Sequence, residues 1–117
     1  MPTIWSDDIL IADLADEPAL SDELDQIIEQ SLTPPDGRYP HVVLNFGQVS
    51  YINSSNIAQL LRLRKDLGGR GRKLQICSLS DEVWTVMLTT GLDKVLSFSP
   101  DTMTALATLQ LEDEDAA

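Results

Sequence analysis

The chain has 117 residues, of which 43% are hydrophobic and 23% charged, and its formal net charge is −11. This length suits one domain whose core suffices for folding without disulfide or metal staples. The acidic charge argues against a nucleic-acid partner or an anionic lipid surface, because both require a basic face.

Sequence features at the two ends bear on location and on domain limits. Met1 to Asp8 has neither a basic start nor a long apolar run, which argues against a signal peptide. No segment approaches the roughly eighteen apolar residues of a membrane span, so we expect a cytoplasmic protein without membrane insertion. We expect a single domain over residues 1–111, followed by a frayed acidic tail over 112–117 that contains Glu112 to Asp115.

The first half of the chain predicts a hairpin, a helix and a buried strand. Thr3 to Trp5 and Ile9 to Leu14 have the composition of two short paired strands. Asp16 is the predicted N-cap of the first helix, with Pro18 in its first turn and a breaker at Pro34-Pro35-Asp36-Gly37. The inner side of this helix is expected to carry Leu20, Leu24, Ile27, Ile28 and Leu32.

The middle of the chain predicts a strand, a loop and a second helix. The continuous apolar run Val42-Val43-Leu44 indicates a strand buried on both faces. A loop from Gly47 to Ile52 precedes a helix that begins near Ser54 and ends at Gly68-Gly69 in a left-handed cap. The predicted inner residues of the helix are Ile57, Leu60, Leu61 and Leu67.

The remaining segments predict two further strand–helix units. Lys73 to Cys77 is a predicted strand, and Ser80 caps a helix that ends at Gly91 and buries Val83, Val86 and Met87. Val95 to Phe98 is a last short strand, after which Ser99-Pro100 opens a fourth helix with Met103, Leu106 and Leu109 inward. Strands that alternate with helices imply right-handed crossovers, so the predicted class is α/β, with a mixed, mostly parallel sheet and about four helices.

Residues able to bind a metal or attack a substrate are scarce. His41 is expected at the surface or at a strand end, and Cys77 is expected to be a small buried hydrophobic residue. No converging ligand set accompanies them, so we expect no metal, no cofactor and no catalytic residue. Ser54 lacks the glycine-flanked elbow of a nucleophilic serine, and Gly68 to Gly71 follow a helix rather than precede one, which argues against a phosphate-binding loop.

One polar segment, Asn53-Ser54-Ser55-Asn56, stands at the junction of the loop and the second helix. Asn and Ser there are typical of a helix cap, because their side chains satisfy orphan backbone N–H groups. A hydroxyl at this position is also a candidate phosphorylation site, since a helix N-terminus favours negative charge. The residues alone leave both interpretations open.

The stretch from Val42 to Leu61, VVLNFGQVSYINSSNIAQLL, resembles the signature of the STAS domain family of sulfate transporters and anti-sigma factor antagonists. The family pattern is an apolar strand, a loop with an apolar or aromatic pair, Asp-Ser-Ser/Thr-Gly and a leucine-rich helix. Downstream, Arg72 to Cys77 is similar to the next strand of the family, and Leu88 with Gly91 to Val95 is similar to its next helix end. The resemblance covers about Pro40 to Leu109.

This resemblance implies a regulatory module that binds a kinase-type anti-sigma factor or another regulatory protein. The kinase would phosphorylate the serine after the motif acid, here Ser54, and thereby end binding. Three positions depart from the family pattern: Asn53 and Asn45 replace acids, and Asn56 replaces a glycine. If the acid orients the hydroxyl, Asn53 puts phosphorylation in doubt more than partner binding.

Three hypotheses follow from these observations. The leading one is the anti-sigma-factor-antagonist module, a non-enzymatic signalling protein that regulates transcription. A second is a non-phosphorylated STAS subunit that regulates a lipid-transport ATPase, and a low-ranked third is a small enzyme or ligand-binding domain using the carboxyl ends of the strands. The partner surface predicted for the leading hypothesis surrounds Ser54 and comprises Val49, Ser50, Tyr51, Asn53, Ser55, Asn56 and Gln59.

Overall fold

The structure is a computed structural model that describes the backbone of residues 3–6, 8–33 and 38–116, and the side chains of 8–33 and 38–111. The chain opens with the predicted hairpin, in which β1 (Thr3–Ser6) pairs antiparallel with β2 (Ile9–Ala15). Residue 7, in the predicted turn, and residues 34–37, the predicted helix breaker, lie outside the described residues.

The sheet continues with three parallel strands in chain order. β3 (His41–Gln48) pairs with β2, β4 (Leu74–Cys77) pairs with β3, and β5 (Ser97–Ser99) pairs with β4. The strand order is therefore β1-β2-β3-β4-β5, and every pair except the hairpin is parallel. This arrangement confirms the predicted mixed, mostly parallel α/β fold.

Four α-helices lie on the two faces of the sheet within the described residues: α1 (Ala19–Leu32), α2 (Ser54–Gly68), α3 (Asp81–Thr90) and α4 (Thr102–Ala116). Side chains from α1, α2 and α3 form one core with Val42 and Leu44, whereas Ala105 and Leu109 of α4 form a second core with Val43. Successive residues of a strand point to opposite faces, so the run Val42-Val43-Leu44 is buried on both.

The caps of α3 are where the sequence placed them. Ser80 accepts a hydrogen bond from the Val83 backbone N–H at 3.2 Å, and Gly91 ends the helix with φ +76°. Val83 and Met87 are buried beneath α3, and Val86 packs partly buried against the same core. The sequence signals were local here, which is why they predicted this element closely.

Two predicted features of α1 and α2 are wrong. α1 has Pro18 rather than Asp16 at its N-cap, because the Asp16 carboxylate is occupied by two hydrogen bonds from Ser50. Beyond α2, the left-handed glycine is Gly71 (φ +71°), whereas Gly69 at the C-cap is right-handed.

The inner face of α2 also differs from the prediction. Leu61 is 37% exposed, and Leu63, which the sequence analysis did not place inward, is fully buried. The buried leucines Leu60, Leu63 and Leu67 follow i, i+3 and i+7 spacing, which keeps them on one stripe of the helix.

α4 begins two residues later than predicted, with Asp101 rather than Ser99 as its cap. Asp101 caps this helix, because its Oδ1 accepts a hydrogen bond from the Thr104 backbone N–H at 2.7 Å. Leu109 is buried and Leu106 packs partly buried beside it, as predicted, whereas Met103 is 81% exposed and Ala105 is buried in its place. Just before it, the 3-10 turn Leu92–Lys94 delays β5 to Ser97–Ser99, two residues later than predicted.

The backbone of α4 stays helical through residues 112–116, where the acidic composition predicted a frayed end. No glycine or proline interrupts the helix after Thr102, so nothing in the sequence breaks it earlier. The boundary of the domain at residue 111 stays a prediction.

Candidate functional site

The loop between β3 and α2 is held by two buried side chains and presents two exposed ones. Val49 and Ile52 are 2% and 3% exposed, and the Val49 backbone N–H closes a turn by donating to the Phe46 carbonyl at 2.9 Å. Ser50 is exposed, and Tyr51 is 64% exposed. The buried pair fixes the backbone, so the Tyr51 ring projects into solvent from a supported position.

Asn53 and Asn56 form a reciprocal cap at the start of α2. The Asn53 side chain accepts from the Asn56 backbone N–H at 3.0 Å, and the Asn56 side chain accepts from the Asn53 backbone N–H at the same distance. This is a capping box built from two asparagines, and it satisfies two backbone donors that the first turn of a helix leaves unpaired. Both amide oxygens are thereby fixed inward.

Ser54 and Ser55 are the first two residues of α2, and both are exposed. Their hydroxyls form no hydrogen bond with any part of the chain that the structure describes. The cap is completed by the asparagines on either side, so neither serine is needed for it. The Ser54 hydroxyl therefore stands at a positive helix end with its oxygen accessible to solvent.

The loop between β2 and α1 encloses this site with carboxylates. Asp16 accepts from the Ser50 backbone N–H at 2.8 Å and from its hydroxyl at 2.7 Å. Glu17 accepts from the Ser21 N–H and hydroxyl, both at 2.6 Å, and its Oε2 lies 3.5 Å from the Asn53 amide nitrogen. The hydrogen bonds from Ser50 lower the pKa of Asp16, and those from Ser21 lower the pKa of Glu17, so both carboxylates are charged at neutral pH.

A second set of polar contacts joins α1 to α2. Gln59 donates through Nε2 to the Ser21 carbonyl and to Asp25, both at 2.8 Å. Asn56, which is fully buried, directs its amide nitrogen towards the Ser21 hydroxyl at 3.5 Å and the Gln59 side chain at 3.4 Å. The start of α2 is therefore anchored to α1 by side chains on both helices.

The carboxyl end of β3 carries a related asparagine. Asn45 donates to the Asp13 carboxylate at 2.8 Å, and its oxygen accepts from the Gly47 backbone N–H at 2.9 Å. A Cβ on Gly47 would lie 3.1 Å from that oxygen and 3.8 Å from the Ser78 side chain, so glycine permits this close approach. Ser78, which follows β4, has φ +63°, a strained value for a non-glycine residue that the sequence did not signal.

The predicted site residues divide into a surface set and a supporting set. Ser50, Tyr51, Ser54 and Ser55 are exposed, and the side chains of Asn53 and Gln59 are partly exposed. Val49 and Asn56 are buried and support the loop from below. Sequence reasoning missed Asp16 and Glu17, whose carboxylates come from the preceding crossover; their distance from the motif along the chain left no local signal.

The histidine and the cysteine lie away from this site. His41, expected at the surface or at a strand end, is the first residue of β3 and is only 1% exposed. Its Nδ1 accepts from the Lys73 backbone N–H at 3.0 Å. Cys77 is fully buried, as predicted. Across the described residues, no group of three or more His, Cys, Asp or Glu side chains has the arrangement of a metal site, and no helix is long and apolar enough to cross a bilayer.

Comparison with known proteins identifies the family. The family model of the STAS domain matches residues 12–105, which include the whole site described above. The chain belongs to the STAS domain family. The match begins in β2, two elements earlier than the sequence resemblance, and so includes the crossover that carries Asp16 and Glu17.

Solved STAS proteins have the same fold at low sequence identity. RsbS of Moorella thermoacetica, in a variant form, is 15% identical with a TM-score of 0.78, and the match covers 97% of each chain. An anti-sigma-factor antagonist domain protein of Planctomyces limnophilus is 20% identical with a TM-score of 0.73, covering 93% of this chain and 97% of that one. The anti-sigma factor antagonist SpoIIAA in its unphosphorylated form is 15% identical, with a TM-score of 0.63 and coverage of 90% and 91%.

The geometry gives a physical reason for each departure from the STAS motif. Asn45 and Asn53 each point an amide nitrogen at a carboxylate, Asp13 and Glu17 respectively. An acid at either position would place two negative groups within hydrogen-bond distance, which is unfavourable unless one is protonated. Asn56 fills a buried space between α1 and α2. All three departures therefore satisfy local contacts, and none of them covers Ser54.

Proposed function

We propose that this STAS domain is a regulatory protein-binding module of the anti-sigma-factor-antagonist type, and that phosphorylation of Ser54 switches its binding. The partner is a regulatory protein, with a kinase-type anti-sigma factor as the leading candidate. The single observation that carries the proposal is the exposed Ser54 hydroxyl at the start of α2, free of any capping role. The family and the anti-sigma factor antagonists among its structural relatives support the regulatory role.

The proposed binding surface consists of the exposed or half-exposed part of the predicted set. It comprises Ser50, Tyr51, Asn53, Ser54, Ser55 and Gln59. Tyr51 is the anchor of this surface, because a large exposed aromatic ring on a rigid loop loses little conformational entropy on binding. The buried Val49 and Ile52 hold that loop in one conformation before the partner arrives.

A phosphate on Ser54 would change the charge of this surface without disturbing the cap. It adds roughly two negative charges at a helix N-terminus, where the macrodipole stabilises them. The hydrogen bonds described for the site involve the carboxylates of Asp16, Glu17 and Asp25 and no lysine or arginine. We therefore expect the charge of the phosphate to act on the partner.

The test is a pull-down from lysate of the native organism with four baits: wild type, Ser54→Ala, Ser54→Glu and Ser55→Glu. Ser55→Glu is the matched control, since it adds the same charge one residue further along the exposed first turn. We expect wild type and Ser54→Ala to capture the same regulatory protein. Ser54→Glu should lower the affinity for the purified partner at least about tenfold, and Ser55→Glu should lower it less.

Two results would contradict the proposal in different ways. Equal capture by all four baits would leave a constitutive binding module with Ser54 as an ordinary first-turn residue. Co-purification of a lipid-transport ATPase, with no kinase-type protein, would favour the alternative in which the domain is a non-phosphorylated regulatory subunit. Mass spectrometry of the protein isolated from its own cells under several growth conditions must also find phosphate on Ser54.

A further inference from the structure

A basic groove lies at the other end of α2, opposite the Ser54 site. It is formed by the last turns of α2, the start of β4 and the segment that leads into β5, and its volume is about 520 Å³. Known small-molecule sites have volumes of roughly 300–1,000 Å³, so the groove is large enough for one. Its lining residues are Arg64, Lys65, Gly68, Arg72, Lys73, Leu74, Val95, Leu96 and Ser97.

The charge of this groove contrasts with that of the chain. The protein has 19 acidic and 8 basic residues, yet four of those 8 basic residues line the groove, and among the residues that the structure describes no acidic one does. The net charge of −11 repels anions at long range. Any anion bound here must therefore be held by these local cations.

The four cations come from two segments, the last turns of α2 and the connection that leads into β4. Arg64 and Lys65 are exposed on α2, and neither forms an ion pair with a carboxylate in the described part of the chain. Arg72 is oriented from below, since its Nη1 lies 3.3 Å from the Asp8 carboxylate and 3.2 Å from Nε2 of the buried His41. The side chains of Arg64 and Lys65 are thus available to a ligand, while Arg72 is held in place by Asp8 and His41.

We propose that the groove is a binding site for a small anion that carries two or more phosphate groups. Arginine forms paired hydrogen bonds with phosphate oxygens, and lysine adds point charge. Half-exposed Val95 and the backbone of Gly68 leave the groove open for the rest of the ligand. The recognition is by side-chain cations and differs from a phosphate loop, in which backbone N–H groups at a helix start bind the anion.

The test measures binding of tripolyphosphate, inorganic phosphate and a phosphomonoester to the full chain by titration calorimetry at two salt concentrations. Arg64→Gln is the diagnostic variant, and Arg62→Gln is its matched control, because Arg62 is an exposed arginine on the same helix outside the groove. We expect tripolyphosphate to bind saturably. Arg64→Gln should weaken it on the order of tenfold, the loss of one charge-assisted hydrogen bond, while Arg62→Gln leaves it unchanged.

A second variant, Gly68→Glu, places a carboxylate at the groove without disturbing the fold, since no atom lies within 4 Å of a Cβ at this position. It should abolish binding while the protein keeps its thermal unfolding midpoint. Tighter binding of the phosphomonoester than of tripolyphosphate would overturn the requirement for several phosphates. Three results would overturn the site. They are the absence of saturable tripolyphosphate binding at millimolar concentration, equal losses of affinity in Arg62→Gln and Arg64→Gln, and binding of an acidic peptide in place of any phosphate.

Discussion

Asn56 provides a direct test of the structure of the candidate site, because it stands where the STAS motif has glycine. Its side chain is fully buried and accepts the Asn53 backbone N–H at 3.0 Å. It also contacts the Ser21 hydroxyl and the Gln59 side chain. Through these contacts Asn56 stabilises the α1–α2 junction, and its replacement should cost stability even though the family has a residue without a side chain at this position.

The expected magnitude for Asn56→Ala follows from these contacts. Loss of half a capping box costs about 1 kcal/mol, and the polar groups left partly unpaired cost about 1–3 kcal/mol more. Alanine regains roughly 0.5 kcal/mol in helix propensity. The net loss in the free energy of unfolding is about 2 kcal/mol, or roughly 8 °C in Tm for a chain of this size. Asn56→Gly should lose about 1 kcal/mol more, because glycine is more flexible.

The assay is urea unfolding followed by circular dichroism, with Ser55→Ala as the control at the adjacent exposed position. The slope m should stay constant, so that the midpoint alone reports stability. The control should lie within about 0.5 kcal/mol of wild type. An Asn56→Ala protein as stable as wild type, or an Asn56→Gly protein more stable than Asn56→Ala, would refute the buried capping role.

Two further predictions concern charge and backbone. The pKa of Asp16 is lowered from 3.8 by the hydrogen bonds from Ser50, so its contribution to stability is present above pH 3.8 and is lost as the pH falls through the lower folded-state pKa. The urea midpoint should therefore fall on acidification below about pH 4, and Asp16→Asn should make that fall shallower; an identical pH profile would contradict this. Gly91→Ala should cost about 1 kcal/mol at φ +76°, whereas Gly68→Ala, in an open helical position, should be neutral or stabilising by up to about 1 kcal/mol; equal effects in thermal unfolding would count against the left-handed cap.

The elements with local signals were predictable from the sequence. Ser80 and Gly91 bound α3 as expected, and the continuous apolar run at Val42 marked a strand buried on both faces. α4 was misplaced because Ser99-Pro100 and Asp101 offer competing starts only two residues apart, and the structure uses Asp101. Six residues separate Met103 from Leu109, which places them about 120° apart around the helix, so Met103 is exposed while Leu109 is buried.

Within the candidate site, only the residues close in sequence to the polar motif at the start of α2 were predictable. The polar motif at the start of α2 indicated the cap and the exposed hydroxyls, but it could not reveal contacts made across the fold. Asp16 resembles a helix cap in sequence, and only the approach of the β3–α2 loop supplies the Ser50 donors that bind it. The contacts of His41 were equally hidden, since it lies at the start of β3 and its partners Arg72 and Lys73 precede β4, about thirty residues later.

The helix macrodipole explains some of the charged residues near the two ends of α2, but it does not explain all of the cations in the groove. Carboxylates near its N-terminus (Asp16 and Glu17) and cations near its C-terminus (Arg64 and Lys65) both complement the helix macrodipole, so helix stability alone accounts for these four. Arg72 lies beyond the helix, and Lys73 directly precedes β4, so the dipole of α2 does not explain why they join the same groove. An anion placed there would also meet the negative end of that dipole. Binding therefore draws on cations from both segments, and a variant that neutralises Arg64 should weaken anion binding more than it changes the stability of α2.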